Sequence, residues 1–251
     1  MDHYSSLRKL IEDDIDCHFF DSIESTSSYL TKVPYSKRTQ LCITREQTMG
    51  KGQHGRGWAS QKDGSILFSL RKCFNVDTNL NGLSLVIGMA IIKSIEEECQ
   101  LKGLKIKWPN DVYYGNNKLA GILMENNIHK GAQYVVIGVG VNYQLDQKIN
   151  IDIPWTDLAQ ILKKLPSFDT LTAAFIKNIL AMSKDFESKG LSSLLSAWSD
   201  YDMLKGVKIR SKNSKEIFEG EVDGISEHGA LRILTTDGVK EVYSSIHIEY
   251  I

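Results

Sequence analysis

Between residues 104 and 142 the chain carries four strand-like segments in quick succession: LKIKW at 104–108, DVYY at 111–114, KLAGILME at 118–125 and QYVVIGVGVN at 133–142. The turn Gly115-Asn116-Asn117 joins two of them with hairpin chemistry. Helical patterns lie on both sides of this block. A long apolar-periodic helix follows Asn81 and ends near Cys99, with Glu96, Glu97 and Glu98 on its late turns, and further helical patterns occupy 156–164, 169–187 and 191–200. Strands gathered in the middle and helices on the flanks predict an α+β layout rather than a regular βαβ alternation.

Three more strands are expected upstream, at 16–23, 40–44 and 65–72, with hydroxyls at Ser25-Thr26-Ser27 suited to capping a short helix through Tyr29 and Leu30. The pattern changes after about residue 204. All four prolines (34, 109, 154 and 166) precede it, and residues 205–251 read as short strands separated by Lys212-Asn213-Ser214, His228-Gly229 and Asp237-Gly238. Short strands at regular spacing predict a small β-barrel. The expected division is 1–204 and 205–251.

Composition narrows the function classes. With 30 Lys+Arg against 31 Asp+Glu over 251 residues, the chain has no global excess of positive charge for a nucleic acid. The longest apolar stretch, LSLVIGMAII at 83–92, is about half of what a bilayer span needs. The opening segment is charged and has no apolar signal region. Cys17, Cys42, Cys73 and Cys99 have neither metal-ligand nor redox-motif spacing, which predicts free thiols in a reducing, cytoplasmic setting. The six histidines form no metal-ligand pattern.

Three motifs could carry chemistry. Gly50-Lys51-Gly52-Gln53-His54-Gly55-Arg56-Gly57-Trp58 interleaves four glycines with cations, as a loop folding over a phosphate requires, although a solvated glycine turn explains the composition equally well. It is not a Walker A sequence. Lys107-Trp108-Pro109-Asn110-Asp111, followed by Lys118-Leu119-Ala120-Gly121, sets two lysines, an amide and a carboxylate at hairpin edges. Those groups suit a phosphate, a nucleobase and a magnesium ion, or simply a strand end. Ile137-Gly138-Val139-Gly140-Val141-Asn142 marks either a close approach to the backbone or a bulge.

Taken together and in this order, Ser25-Thr26, the 50–58 loop, KWPND at 107–111, KLAGIL at 118–123 and IGVGVN at 137–142 resemble the biotin–protein ligases. The resemblance extends over roughly residues 20–251. It implies a class II synthetase-like catalytic domain, built on a central mixed β-sheet with flanking helices, and an SH3-like C-terminal β-barrel. It also implies a two-step reaction: biotin and ATP, with Mg, form biotinyl-5'-adenylate, and a lysine of the biotin carboxyl carrier protein of acetyl-CoA carboxylase then takes the biotin.

The same resemblance distributes roles. Lys118 matches the catalytic lysine that contacts carboxylate and phosphate. Ser25, Thr26 and Gln47 match the biotin head-group positions, Ser27 is assigned to ligand binding beside them, and Lys51, Gly52, Gly121 and Gly138 match the biotin slot. Asn110, Asn142 and Trp155 match the nucleotide side, and Asp111 the magnesium position. The rest of the loop (Gly50, Gln53, Arg56 and Trp58) is assigned to ligand binding with them. Two positions depart from the family pattern: Ser27 stands where an asparagine is usual, and Gly50-Lys51-Gly52-Gln53 replaces Gly-Arg-Gly-Arg, so Gln53 lacks a charge. Only about 20 residues precede the first catalytic strand, too few for the DNA-binding module of the family's repressors. The KWPND and glycine-loop pair favours biotin over lipoate. No nucleic-acid or membrane partner is expected, and a homodimer is compatible with the resemblance.

Overall fold

The computed structural model describes residues 4–11, 14–212, 217–245 and 248–251. Seven strands form the main sheet: β1 (Asp16–Phe20), β2 (Gln40–Thr44), β3 (Ser65–Asn75), β4 (Leu104–Lys107), β5 (Asp111–Tyr114), β6 (Asn117–His129) and β7 (Ala132–Asn142), in the spatial order β1-β2-β3-β7-β6-β5-β4. Only β1 and β2 run parallel; every other neighbouring pair is antiparallel, so the sheet is mixed as expected. The longest ladders are β3–β7 and β6–β7, which make β7 the axis of the sheet.

The two faces of β7 differ because strand side chains alternate. Val135, Ile137, Val139 and Val141 join the apolar core with α3 (Leu83–Cys99) and α5 (Phe168–Lys189). Flanked by both the sheet and α5, α3 is apolar nearly all round, which explains its unbroken LSLVIGMAII run. The opposite face is covered at one end by α2 (Thr26–Lys32), through Leu30 against Cys42 and Val136. Beyond α2 this face offers Gly138, Gly140 and Asn142, and there it is open. Two shorter helices, α1 (Ser5–Leu10) and α4 (Leu158–Ile161), and the ten-residue α6 (Ser192–Tyr201) complete the main body. Nothing in the sequence reading anticipated α1.

The C-terminal strands correct one expectation. β8 (Lys208–Ser211), β9 (Glu219–Ile225), β10 (Leu231–Thr235), β11 (Gly238–Val242) and β12 (Ile248–Tyr250) form an open sheet in the order β11-β10-β9-β8-β12, not an SH3-like barrel. Among the described residues the edge strands β11 and β12 do not pair with each other. Strand spacing reports alternation and turns but says nothing about closure, which needs matched length and stagger at the two edges. β12 is only three residues long. The sheet instead buries Ile209, Val222, Leu231, Ile233 and Ile248 in the same apolar cluster as Trp198 and Leu204. Asn213 and Ser214 of the expected turn lie outside the described residues.

The two sheets are locked by a close backbone approach. Trp108 donates from Nε1 to the Gly229 carbonyl at 2.9 Å, and Met203 N–H donates to the Ile106 carbonyl at 3.0 Å. Gly229 has φ +76°, and a Cβ there would stand 2.7 Å from the Gly82 Cα. Gly229→Ala should therefore cost about 2–4 kcal/mol, a left-handed penalty plus a backbone clash. That corresponds to a Tm fall of roughly 4–16 °C for a chain this long. Gly131→Ala is the control, with φ +75° and nothing within 4 Å. Equal Tm values for the two variants would contradict the close approach.

Candidate functional site

A cavity of about 320 Å³ opens on the uncovered face of the main sheet. Its floor exists because three strand positions lack side chains. Gly138 and Gly140 lie on β7, and Gly121 on β6 is the direct cross-strand partner of Gly140. Ser69 of β3, paired in register with Gly138, contributes a small hydroxyl. Larger residues at these positions would fill the space.

One end of the cavity is lined by uncharged hydrogen-bonding groups. Ser25 caps α2 by accepting from Ser28 N–H at 3.4 Å, which turns the helix N-terminus toward the cavity. Gln47 Oε1 accepts from Thr26 N–H at 2.8 Å and from Thr26 Oγ1 at 3.1 Å. Thr26 Oγ1 lies 2.8 Å from Ser69 Oγ, and Ser25 Oγ lies 3.1 Å from Ser27 Oγ. All four hydroxyl residues are buried and bonded to one another or to Gln47, so this is a preorganised set of small donors and acceptors.

The glycine-rich loop forms one wall. It folds as a tight hairpin in which Gly52 N–H donates to the Arg56 carbonyl at 2.7 Å and Trp58 N–H to the Gly50 carbonyl at 2.9 Å. A single 3-10 turn at Gln53–Gly55 caps it. Lys51, Gly52, Gln53 and Arg56 line the cavity. Gly50 lies outside the lining; a Cβ there would sit 2.6 Å from the Trp58 carbonyl oxygen, so glycine is required by packing. The hairpin delivers the Trp58 indole onto the glycine floor. A Cβ on Gly140 would meet the ring at 2.6 and 2.7 Å, and one on Gly121 at 2.8 Å.

The opposite end is charged. Lys118 Nζ lies 2.7 Å from Asp111 Oδ2 and 5.5 Å from the centre of the Trp58 ring, and both side chains of the ion pair are largely buried. Lys118 is fixed from behind: its N–H donates to the Pro154 carbonyl, and its carbonyl accepts from Thr156 N–H, both at 3.0 Å. Those bonds bring Trp155 into the cavity wall. Asn110 and Asn142 also line it, and each is held by a bond from its amide nitrogen to the backbone. Asn110 Nδ2 donates to the Ile122 carbonyl at 2.5 Å, and Asn142 Nδ2 donates to the Thr156 carbonyl at 3.0 Å. Lys107 does not line the cavity; its Nζ lies 4.5 Å from the Tyr250 ring, where burial pushes its pKa down. Among the described residues no group of three or more His, Cys, Asp and Glu side chains could hold a metal by itself.

Sixteen of the seventeen residues singled out in the sequence, all but Gly50, thus meet around one cavity. Sequence reasoning missed Ser69, Leu123 and the segment 150–153. Ser69 left a signal, a polar residue inside the apolar run SILFSLRK; the 150–153 loop left none.

Residues 19–142 match the model of the biotin/lipoate A/B protein ligase family, and residues 205–246 match that of the biotin protein ligase C-terminal domain. The bifunctional ligase/repressor BirA of Escherichia coli is 33% identical over 224 residues, covering 86% of this chain and 68% of that protein. The chain belongs to the biotin protein ligase family. Its counterpart from Bacillus subtilis is 29% identical, covering 82% of this chain and 64% of that protein, so the chain spans about two thirds of the length of these repressor relatives. A solved biotin protein ligase from Aquifex aeolicus, in complex with biotin and ATP, superimposes with a TM-score of 0.79 at 27% identity. That match covers 94% of this chain and 98% of the other.

The contact between Trp58 and the glycine floor gives this ligase-family cavity its shape. Gly140→Ala should destabilise the chain by about 1–3 kcal/mol through overpacking, and most of that loss should disappear in a Trp58→Ala background. Denaturant unfolding of the four chains in this cycle measures the coupling. Additive losses would mean that the indole does not rest on Gly140.

Proposed function

We propose that the chain is an ATP-dependent ligase that activates biotin as biotinyl-5'-adenylate and transfers it to a lysine of a biotin carboxyl carrier protein of acetyl-CoA carboxylase. The observation that carries this reading is one cavity with two chemically different ends, an uncharged hydroxyl-and-amide end and a cationic end, joined by a glycine floor. A neutral ureido head group matches Ser25, Thr26, Ser27, Gln47 and Ser69, which can both donate and accept. The apolar part of biotin fits over Gly138, beside the Trp58 indole that already covers Gly121 and Gly140. The carboxylate then points toward Lys118.

The first step brings two anions together. The biotin carboxylate oxygen attacks the α-phosphorus of ATP, the bond to the bridging oxygen breaks, and pyrophosphate leaves. Lys118, with Lys51 and Arg56 of the loop, offsets the repulsion and stabilises charge on the phosphoryl oxygens. Asn110, Asn142 and Trp155 border the nucleotide end. In the second step the neutral amine of the acceptor lysine attacks the activated carbonyl, AMP departs with the bonding electron pair, and the amine proton is lost to solvent. Hairpin packing over the cavity would keep water from hydrolysing the mixed anhydride.

Magnesium belongs to the nucleotide substrate in this scheme. Asp111 and Asp152 are the carboxylates on the wall, and one or two carboxylates plus phosphate oxygens are what the ion uses. Asp111 would then share itself between the ion and Lys118. Gln53 gives the loop one cation fewer than the family pattern, leaving Lys51 and Arg56 to hold the phosphate. The cytoplasm supplies ATP and the acceptor and suits the four free thiols. We assign residues 1–204 to catalysis and 205–251 to the C-terminal module. Among the described residues no helix is long and apolar enough to cross a membrane.

Exchange of labelled pyrophosphate into ATP tests the first step. The chain should catalyse it with biotin and not with lipoate. Lys118→Ala should lower the rate on the order of a hundredfold or more, with far-UV circular dichroism unchanged. Exchange supported by lipoate alone would overturn the substrate assignment, and exchange within threefold of the parent would remove Lys118 from the chemistry.

A further inference from the structure

Among the described residues Arg71 is the largest fully buried side chain, 2% exposed, and no carboxylate is among its partners there. A buried guanidinium is costly unless all its donors are used. Here three of them go to one short segment and the others to Gln40. Nη1 donates to the Leu30 carbonyl at 2.5 Å and to the Val33 carbonyl at 2.9 Å, and Nη2 donates to the Pro34 carbonyl. Nε donates to Gln40 Oε1 at 2.8 Å, and Nη2 shares that oxygen. The three carbonyls belong to the end of α2 and the residues just after it, where a helix leaves acceptors without partners. Tyr35 closes over the group, with its ring centre 5.0 Å from Arg71 Cζ.

The other end of the same helix carries Ser25, Thr26 and Ser27 into the cavity. It too is tied to β3, through Thr26 Oγ1 and Ser69 Oγ. Ser69 and Arg71 are two residues apart on one strand face, about 7 Å, while the seven residues of α2 span about 10 Å. One strand thus grips a short helix at both ends. Between the grips, α2 rests on the sheet through Leu30 against Cys42 and Val136. If the Arg71 grip is released, the helix can tilt about its N-terminal contact, and the hydroxyls at its tip move with it.

We propose that Arg71 is a positioning residue for the head-group end of the cavity: by fastening the C-terminal carbonyls of α2 to β3, it holds Ser25, Thr26 and Ser27 in the geometry that binds biotin. This inference rests on the biotin reading above. Arg71 touches neither the cavity nor the charged end, so its effect should be confined to biotin recognition. A residue that only stabilised the fold would lower Tm without separating the two substrates.

The test compares the parent with Arg71→Met, Arg71→Lys and Gln40→Met. Biotin binding is measured by isothermal titration calorimetry, and KM for biotin and for ATP by pyrophosphate exchange. Arg71→Met should weaken biotin binding about tenfold or more, because four acceptors lose a buried charged donor. KM for ATP, and kcat at saturating biotin, should stay within about twofold, since the charged end is untouched. Arg71→Lys should fall between, having three donors instead of five and no planar fork. Gln40→Met leaves the backbone carbonyls gripped and should weaken biotin binding about two- to threefold; with Arg71→Lys it decides the matter if Arg71→Met does not fold. Biotin affinity equal to the parent's in the folded variants would overturn the inference alone, as would equal rises in both KM values. A parent that binds no biotin would overturn the functional reading and this inference with it.

Discussion

The Trp58 indole lying on Gly121 and Gly140 is the contact on which the arrangement of this protein depends. A cross-strand pair of glycines in the middle of a sheet is locally unfavourable, because it forfeits packing and adds backbone entropy to be lost on folding. The deficit is offset by an aromatic ring that no side chain at those positions would admit. The ring in turn fixes the end of the glycine-rich hairpin, so the loop that brings Lys51 and Arg56 is anchored to the sheet by a hydrophobic contact. The charged end of the cavity is thereby held at a set distance from the hydroxyl end. A two-substrate site needs that spacing, since the reacting atoms must meet without rearrangement.

The second constraint is the division of labour between the faces of β7. Val135, Ile137, Val139 and Val141 build the core with α3 and α5, while Gly138, Gly140 and Asn142 build the cavity. The same strand therefore supplies both stability and a site, and the β3 ladder extends this to Ser69 and Arg71. The C-terminal sheet reaches the site through the same logic. Trp108, just before Asn110 and Asp111, is bonded to the Gly229 carbonyl, so the sheet supports the hairpin that presents the charged end.

Much of this was legible in the sequence because the relevant physics is local. Period-two alternation located the strands, glycine and asparagine marked the β5–β6 turn, and the order of the motifs, through the family resemblance, pointed to the cavity positions. What the sequence could not disclose depends on long-range geometry. Whether five short strands close into a barrel is decided at their edges, and here they do not. Asn110 and Asn142 line the cavity, and each also donates from its amide nitrogen to a carbonyl that only folding brings near. Nothing in the sequence marked Arg71, because its carbonyl acceptors at Leu30, Val33 and Pro34 lie more than thirty-five residues away in the chain.

The central claim is that one cavity holds both halves of the adenylate until an acceptor arrives. Its most direct measurement is a single-turnover experiment: the protein is mixed with biotin and ATP, freed of unbound ligand by rapid gel filtration, and then given the carrier protein without further ATP. The account predicts that about one equivalent of biotinyl-5'-adenylate travels with each chain and is converted to biotinyl-lysine on the carrier, with AMP released in equal amount. Protein that carries no adenylate, or a carrier that is labelled only when fresh ATP is supplied, would contradict it.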